Sequence, residues 1–171
     1  MAKIDTVDKK IVDLLIEDGR MPCSEIAQRI GEVSERAVRY RINRMISQGV
    51  FDVSAQVNAK SLGFRVVADV FVEVEPQSVL DIAHQLANLE WVSYVACSTG
   101  ERDISVQLFA HDNDEMYTIV TDVIGKIPGV RRTRTSLVPM IIKDDAKWRI
   151  PSNCASLDVP QLLKKSQNKS E

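Results

Sequence analysis

The chain has 171 residues and a mass of 19.2 kDa, with 44% hydrophobic and 27% charged residues, the balance of a soluble globular protein of one large or two compact domains. No apolar run approaches the roughly 18 residues that a membrane span needs, and three cysteines, Cys23, Cys97 and Cys154, cannot build a paired disulfide framework. The formal net charge of −2 hides a segregation: residues 1–60 carry 10 Lys and Arg against 9 Asp and Glu, 61–128 carry 3 against 11, and 129–171 carry 9 against 4.

The opening Met1-Ala2-Lys3-Ile4-Asp5 passes into charged helical sequence without an apolar signal core, so the cytoplasm is the expected compartment. Asp5 followed by Asp8 is an acidic helix-start signal, and Val7, Ile11, Leu14 and Leu15 recur at helical spacing until Gly19. A short second helix is predicted from Pro22-Cys23-Ser24 to Gly31, burying Ile26, Ala27 and Ile30. Ser34 then caps a third helix whose core stripe is Val38, Ile42, Met45 and Ile46. The remaining surface of that helix holds Arg36, Arg39, Tyr40, Asn43 and Arg44, and the stretch 34–48 contains Arg36, Arg39, Arg41 and Arg44 against only Glu35.

Three short helices with a glycine turn before the third make a helix-turn-helix, and the β-prone residues 50–57 predict a short strand or wing. In such a unit the third helix enters the major groove while basic side chains contact phosphates. The candidate DNA contacts are therefore Ser34, Arg36, Arg39, Tyr40, Asn43 and Arg44. The plainer alternative is a solvated helix face.

Residues 58–63, ending in Gly63, lack periodicity and read as a linker between a first domain at 1–57 and a second at 64–143. Beyond it the period becomes alternating. Val66, Ala68, Val70, Val72 and Val74 form one face of a strand that ends at Pro76, and Val79, Ile82, Ala83 and Leu86 mark a helix. Strands are predicted at 91–98 and 103–110 around a tight turn at Thr99-Gly100-Glu101-Arg102. A helix with Met116, Ile119, Val120, Val123 and Ile124 follows, and a last strand over 130–142 completes a ferredoxin-like βαββαβ sandwich. Val67, Phe71, Val92, Tyr94, Ala96, Phe109 and Leu137 are expected on the second sheet face, an apolar surface too large to leave in water, which implies a homodimer. From Asp144 the composition shifts to Lys, Ser, Asn, Gln and Pro, with Val159, Leu162 and Leu163 as a late apolar patch, and 144–171 reads as a tail.

Several stretches together carry a family likeness: Asp18-Gly19-Arg20, Glu25-Ile26-Ala27-Gln28-Arg29-Ile30-Gly31 and Arg39-Tyr40-Arg41-Ile42-Asn43-Arg44-Met45 in the first domain, Ser98-Thr99-Gly100-Glu101-Arg102-Asp103 and Ile127-Pro128-Gly129-Val130-Arg131-Arg132-Thr133-Arg134-Thr135 in the second. The chain resembles the leucine-responsive regulator/asparagine regulator (Lrp/AsnC) family along both domains. One departure is that Glu32-Val33 separate the turn glycine from the capping serine, where the family usually has a single apolar residue. The tail is also longer than the family normally carries. The resemblance implies dimers that often assemble into octamers, and a small effector, commonly an amino acid, between dimers near the glycine turn. Carried across residue by residue, the effector positions are Thr99, Gly100, Glu101, Asp103, Thr133, Thr135 and Ser136. Turn amides can receive a carboxylate, and Glu101 or Asp103 can pair with an α-ammonium group.

His84 and His111 have no companions at metal-ligand spacing, and Cys23 and Cys97 have no nearby Cys or His for redox or nucleophilic work. No phosphate-loop pattern, dinucleotide fingerprint or Ser/His/Asp constellation can be assembled. Trp148 reads as an anchor for the tail rather than a stacking platform. The expectation is an α+β protein, an N-terminal winged helix-turn-helix followed by a ferredoxin-like sandwich, with no catalytic activity, cofactor or metal. It would regulate transcription by sequence-specific binding to double-stranded DNA under control of a small effector. The rival readings are a sirohaem-decarboxylase-like enzyme, which resembles the same two-domain arrangement, and a nucleoid-architectural DNA-binding protein.

Overall fold

The computed structural model of the protein describes residues 4–100, 102–144 and 147–151. The described residues form two compact units: 4–55 together with 143–144 and 147–151, and the described residues of 56–142. Among the described residues no helix is long and apolar enough to cross a membrane. Glu101, Cys154 and the apolar patch at Val159, Leu162 and Leu163 lie outside the described residues.

The first unit is built on helices α1 (Thr6–Glu17), α2 (Cys23–Ile30) and α3 (Glu35–Ser47). Asp5 and Asp8 close a reciprocal cap: the Asp8 N–H donates to Asp5 Oδ1 at 2.8 Å and the Asp5 N–H to Asp8 Oδ2 at 3.1 Å. Gly31 ends α2 in the left-handed conformation, at φ 79°, which glycine adopts without steric cost. The longer turn then uses its second residue as a plug, because Val33 packs on the core while Glu32 is exposed. Ser34 accepts the Ala37 N–H at 3.2 Å and starts α3. Ile11, Val12, Met21, Ile26, Val38 and Met45 are the buried apolar residues of this unit.

Two expectations fail here. Ile46, expected in the core stripe, is 38% exposed, because it lies about 80° round the helix from Val38 at 100° per residue. The wing is absent as well: residues 51–58 adopt no strand, since a β-prone segment needs a second backbone to pair with and among the described residues none is offered.

The second unit holds β1 (Val66–Val74), α4 (Val79–Ala87), β2 (Val92–Cys97), β3 (Ile104–Ala110), α5 (Asn113–Thr118) and β4 (Val130–Leu137). These form an antiparallel sheet in the order β2-β3-β1-β4 with both helices on one face, the expected βαββαβ arrangement. Ala68, Val70, Val72 and Val74 meet Ile82, Leu86, Ile104, Val106, Leu108, Met116, Ile119 and Ile124 in the core. The second helix is regular only to Thr118; a π-turn over Ile119–Val123 and a 3-10 turn over Ile124–Lys126 follow, and all but Val123 of the expected stripe is buried.

Register corrects the proposed open face. Leu137 lies opposite Ala68, so it sits on the helix side, and on the edge strand β4 it is 56% exposed. A bulge between Val92 and Tyr94 places Val92 opposite Leu108, also on the helix side, and leaves Tyr94 opposite Gln107 on the open face. Val67, Phe71, Tyr94, Ala96 and Phe109 remain as the apolar part of that face. Around them stand Asp69, hydrogen-bonded by Gln107 at 3.0 Å, and Glu73, 3.7 Å from Arg134. The last strand is shorter than expected. The Val138 N–H still donates to Val67 O at 2.8 Å, but Pro139 has no N–H and the ladder ends.

Candidate nucleic-acid interface and effector region

The arginines of α3 fall into two groups. Arg41 and Arg44 turn towards α1, where the Asp8 carboxylate is buried with 1% exposure. Arg41 Nη1 donates to Asp8 Oδ1 at 2.8 Å and to Asp5 Oδ2 at 2.7 Å, and Arg44 Nη2 donates to Asp8 Oδ2 at 2.5 Å. A buried carboxylate is tolerated only when it is paired and hydrogen-bonded, and two guanidiniums meet that demand. The side-chain hydrogen bond from Arg41 is the main cause holding the Asp5 carboxyl below its ordinary value of 3.8, and the Asp5 carboxylate in turn raises Arg41. Arg44 was expected among the DNA contacts. Its engagement with Asp8 takes it off that surface, with its Nε buried besides.

Arg36, Arg39, Tyr40 and Asn43 form the second group, at i, i+3, i+4 and i+7, which is one stripe of a helix. All four are exposed, Tyr40 by 67%. Arg39 is paired with Glu35 at 2.6 Å, an exposed i,i+4 contact of the kind worth about 0.3–0.5 kcal/mol, and so readily exchanged for a phosphate. Ser34, by contrast, is occupied as the cap of α3, its Oγ accepting from the Ala37 N–H. The outcome is a rigid helix with an outward stripe of two cations, a phenol and an amide, standing on a cap and an internal ion cluster.

The turn between β2 and β3 is closed by the Ser98 N–H donating to Asp103 O at 2.8 Å and by Ser98 Oγ donating to Arg102 O at 2.9 Å. Gly100 stands at φ 132° with open space where a Cβ would be, so its requirement is conformational. Asp103 is used within the fold: its Oδ2 accepts the Val74 N–H at 2.8 Å, pinning the turn to the end of β1. The Arg102 guanidinium lies 3.7 Å over the Phe71 ring, on the open face.

The effector positions on β4 are not on a strand next to this turn. β3 and β4 lie on either side of β1, so two strand spacings, about 10 Å, separate them. Thr133 and Thr135 lie opposite Val72 and Val70 on the helix side, whereas Ser136 lies opposite Asp69 on the other face. Thr135 contributes to a cavity of about 300 Å³ lined also by Met116, Tyr117, Val120 and Leu137. Tyr117 and Thr135 escape simple periodicity reasoning as cavity partners, because only the strand order brings α5 over the edge strand.

Two family descriptions match the chain: an AsnC-type helix-turn-helix domain over residues 4–46 and an Lrp/AsnC ligand binding domain over residues 67–148. An uncharacterized HTH-type transcriptional regulator of Pyrococcus abyssi is 37% identical over 142 residues, 82% of this chain and 89% of its own length. The HTH-type transcriptional regulator LrpA of Pyrococcus horikoshii is 33% identical over 84% of this chain and 99% of its own. Among solved structures, a feast or famine regulatory protein from M. tuberculosis complexed with L-methionine superposes with a TM-score of 0.77 at 27% identity, over 87% of this chain and 100% of its own.

Proposed function

The chain belongs to the Lrp/AsnC family of transcriptional regulators, and from that premise we propose that it binds double-stranded DNA sequence-specifically through the outer stripe of α3, with a small effector modulating assembly or DNA affinity. The observation that carries the reading is the division of α3. Arg36, Arg39, Tyr40 and Asn43 are left on an exposed stripe while Arg41 and Arg44 are held by Asp5 and Asp8. An exposed helix with that stripe fits a major groove, the arginines reaching phosphates or guanine edges and Asn43 an adenine edge. Arg44 serves in this reading as a support of the helix, and Ser34 as its cap.

The effector is proposed to be an amino acid, as the L-methionine bound by the M. tuberculosis neighbour suggests. Thr99, Gly100, Glu101 and Asp103 from the β2–β3 turn and Thr133, Thr135 and Ser136 from β4 remain its proposed surroundings. Their separation within one sheet favours a site completed between subunits. The open sheet face around Val67, Phe71, Tyr94 and Phe109 is the surface proposed to form the dimer.

Selection of bound fragments from genomic DNA by the full chain, with and without each of the twenty amino acids, tests the whole reading. A recovered motif whose enrichment changes with one or a few amino acids is expected. Recovery without sequence preference would leave an architectural protein, and no DNA recovery would overturn the proposal.

A further inference from the structure

The C-terminal segment does not end with the second unit. After leaving β4 the chain passes Ile142 and returns to the first unit, where Ile150 packs against the cluster of Ile11, Val12, Met21, Ile26, Val38 and Met45. One residue earlier, Arg149 spans two acids of α1: its Nη1 lies 3.3 Å from Asp13 Oδ1 and its Nη2 3.5 Å from Glu17 Oε1. Positions 13 and 17 are one turn apart, so a single guanidinium can answer both. Asp13 Oδ1 is buried with no hydrogen-bond partner, which makes the Arg149 counter-charge matter more there than on an open surface.

Helix geometry says which side of α1 this is. At 100° per residue, Asp13 stands about 140° and Glu17 about 180° round the helix from Asp8, the residue that faces α3. We propose that residues 147–150 form a non-covalent clasp on the side of α1 away from α3, fastening the segment that follows β4 to the DNA-binding unit while leaving the outer stripe of α3 open. The assignment of α3 as the DNA-reading helix rests on the function proposed above; the docking of the segment does not.

The clasp is weak enough to open. Arg149 and Glu17 are 47% and 50% exposed, so salt screens their attraction, and Ile150 supplies a single partly buried side chain. It closes because the docking segment belongs to the same chain and its local concentration is high. Ionic strength should therefore set the fraction that is docked.

Lys147 provides the readout, since trypsin must draw the residues on both sides of it into its cleft, which docking of Arg149 and Ile150 opposes. Cleavage of the full chain after Lys147, normalised to a free peptide of residues 143–151, is measured at 50 and 500 mM NaCl. The wild type should be cut several-fold faster at high salt. Arg149→Glu, which sets a carboxylate against Asp13 and Glu17, should be cut about fivefold faster than wild type at low salt. Ile150→Asp should behave likewise, and adding Glu17→Lys to Arg149→Glu should restore slow cleavage. Equal normalised rates for the wild type and Arg149→Glu at low salt, whether fast or slow, would overturn the clasp. The assay contains no DNA, so its failure would leave the DNA-binding reading standing, and loss of DNA binding would leave the clasp standing.

Discussion

Arg41 and Arg44 share a helix with Arg36 and Arg39, and the four side chains have the same chemistry, yet the two pairs stand in opposite situations. The inner pair closes on Asp5 and on the buried Asp8, while the outer pair lies exposed beside Tyr40 and Asn43. The lesson is that a local excess of cations does not locate an interface. A guanidinium held by a desolvated carboxylate is part of the fold; one facing water, or a weak i,i+4 partner, is free to meet a polyanion.

The comparison breaks most sharply at Asp8. Asp8→Ala leaves Arg44 without its carboxylate and Arg41 with Asp5 alone, and is expected to cost the first unit about 3 kcal/mol, read by urea unfolding. A loss under about 0.5 kcal/mol would mean that the inner cluster does not hold α3. Arg44→Ala should also reduce stability. Arg36→Ala should leave it within about 0.5 kcal/mol of wild type, the range of surface substitutions, and instead weaken DNA binding by about 1–3 kcal/mol if it reads a guanine.

Asp103 gives a parallel contrast in the second unit, because the carboxylate proposed to meet an effector already holds a turn. Asp103→Ala leaves the Val74 N–H without its acceptor and should destabilise the second unit by about 1–3 kcal/mol in thermal unfolding. An amino acid that shifts the wild type and Asp103→Ala by equal amounts would place the effector elsewhere.

The smallest effect is on pH. Asp5 is held below its ordinary 3.8, first by the Arg41 hydrogen bond, so its contribution to folding is present above about pH 4 and is lost as the pH falls through the lowered value. Acid titration of the first unit should show that loss, and Asp5→Asn should flatten it. An identical acid limb in both proteins would remove Asp5 from the cluster's energetics.

What could be read from the sequence was local. The Asp5/Asp8 start, the Gly31 stop, the Ser34 cap and the alternation of Val66 to Val74 each depend on neighbours within a few residues, and each stands in the structure. The pairing of Arg44 was not legible because its partner is 36 residues away, and nothing in the helix's own pattern separates it from Arg36. Val92 and Leu137 were placed on the wrong sheet face for a similar reason: a one-residue bulge and the antiparallel register reverse a side chain, and neither leaves a mark in the alternation. The return of Arg149 and Ile150 to α1 spans most of the chain, and composition suggested only a tail.

The salt dependence of DNA binding separates the two faces of α3 most directly. Titrations of wild type, Arg36→Ala and Arg39→Ala on one selected duplex, at several salt concentrations, give the number of phosphate contacts from the slope of log affinity against log salt. If the outer stripe meets the backbone, each substitution should lower the slope by about one unit with the fold intact. Unchanged slope and affinity for both variants would contradict the assignment and take α3 out of the interface.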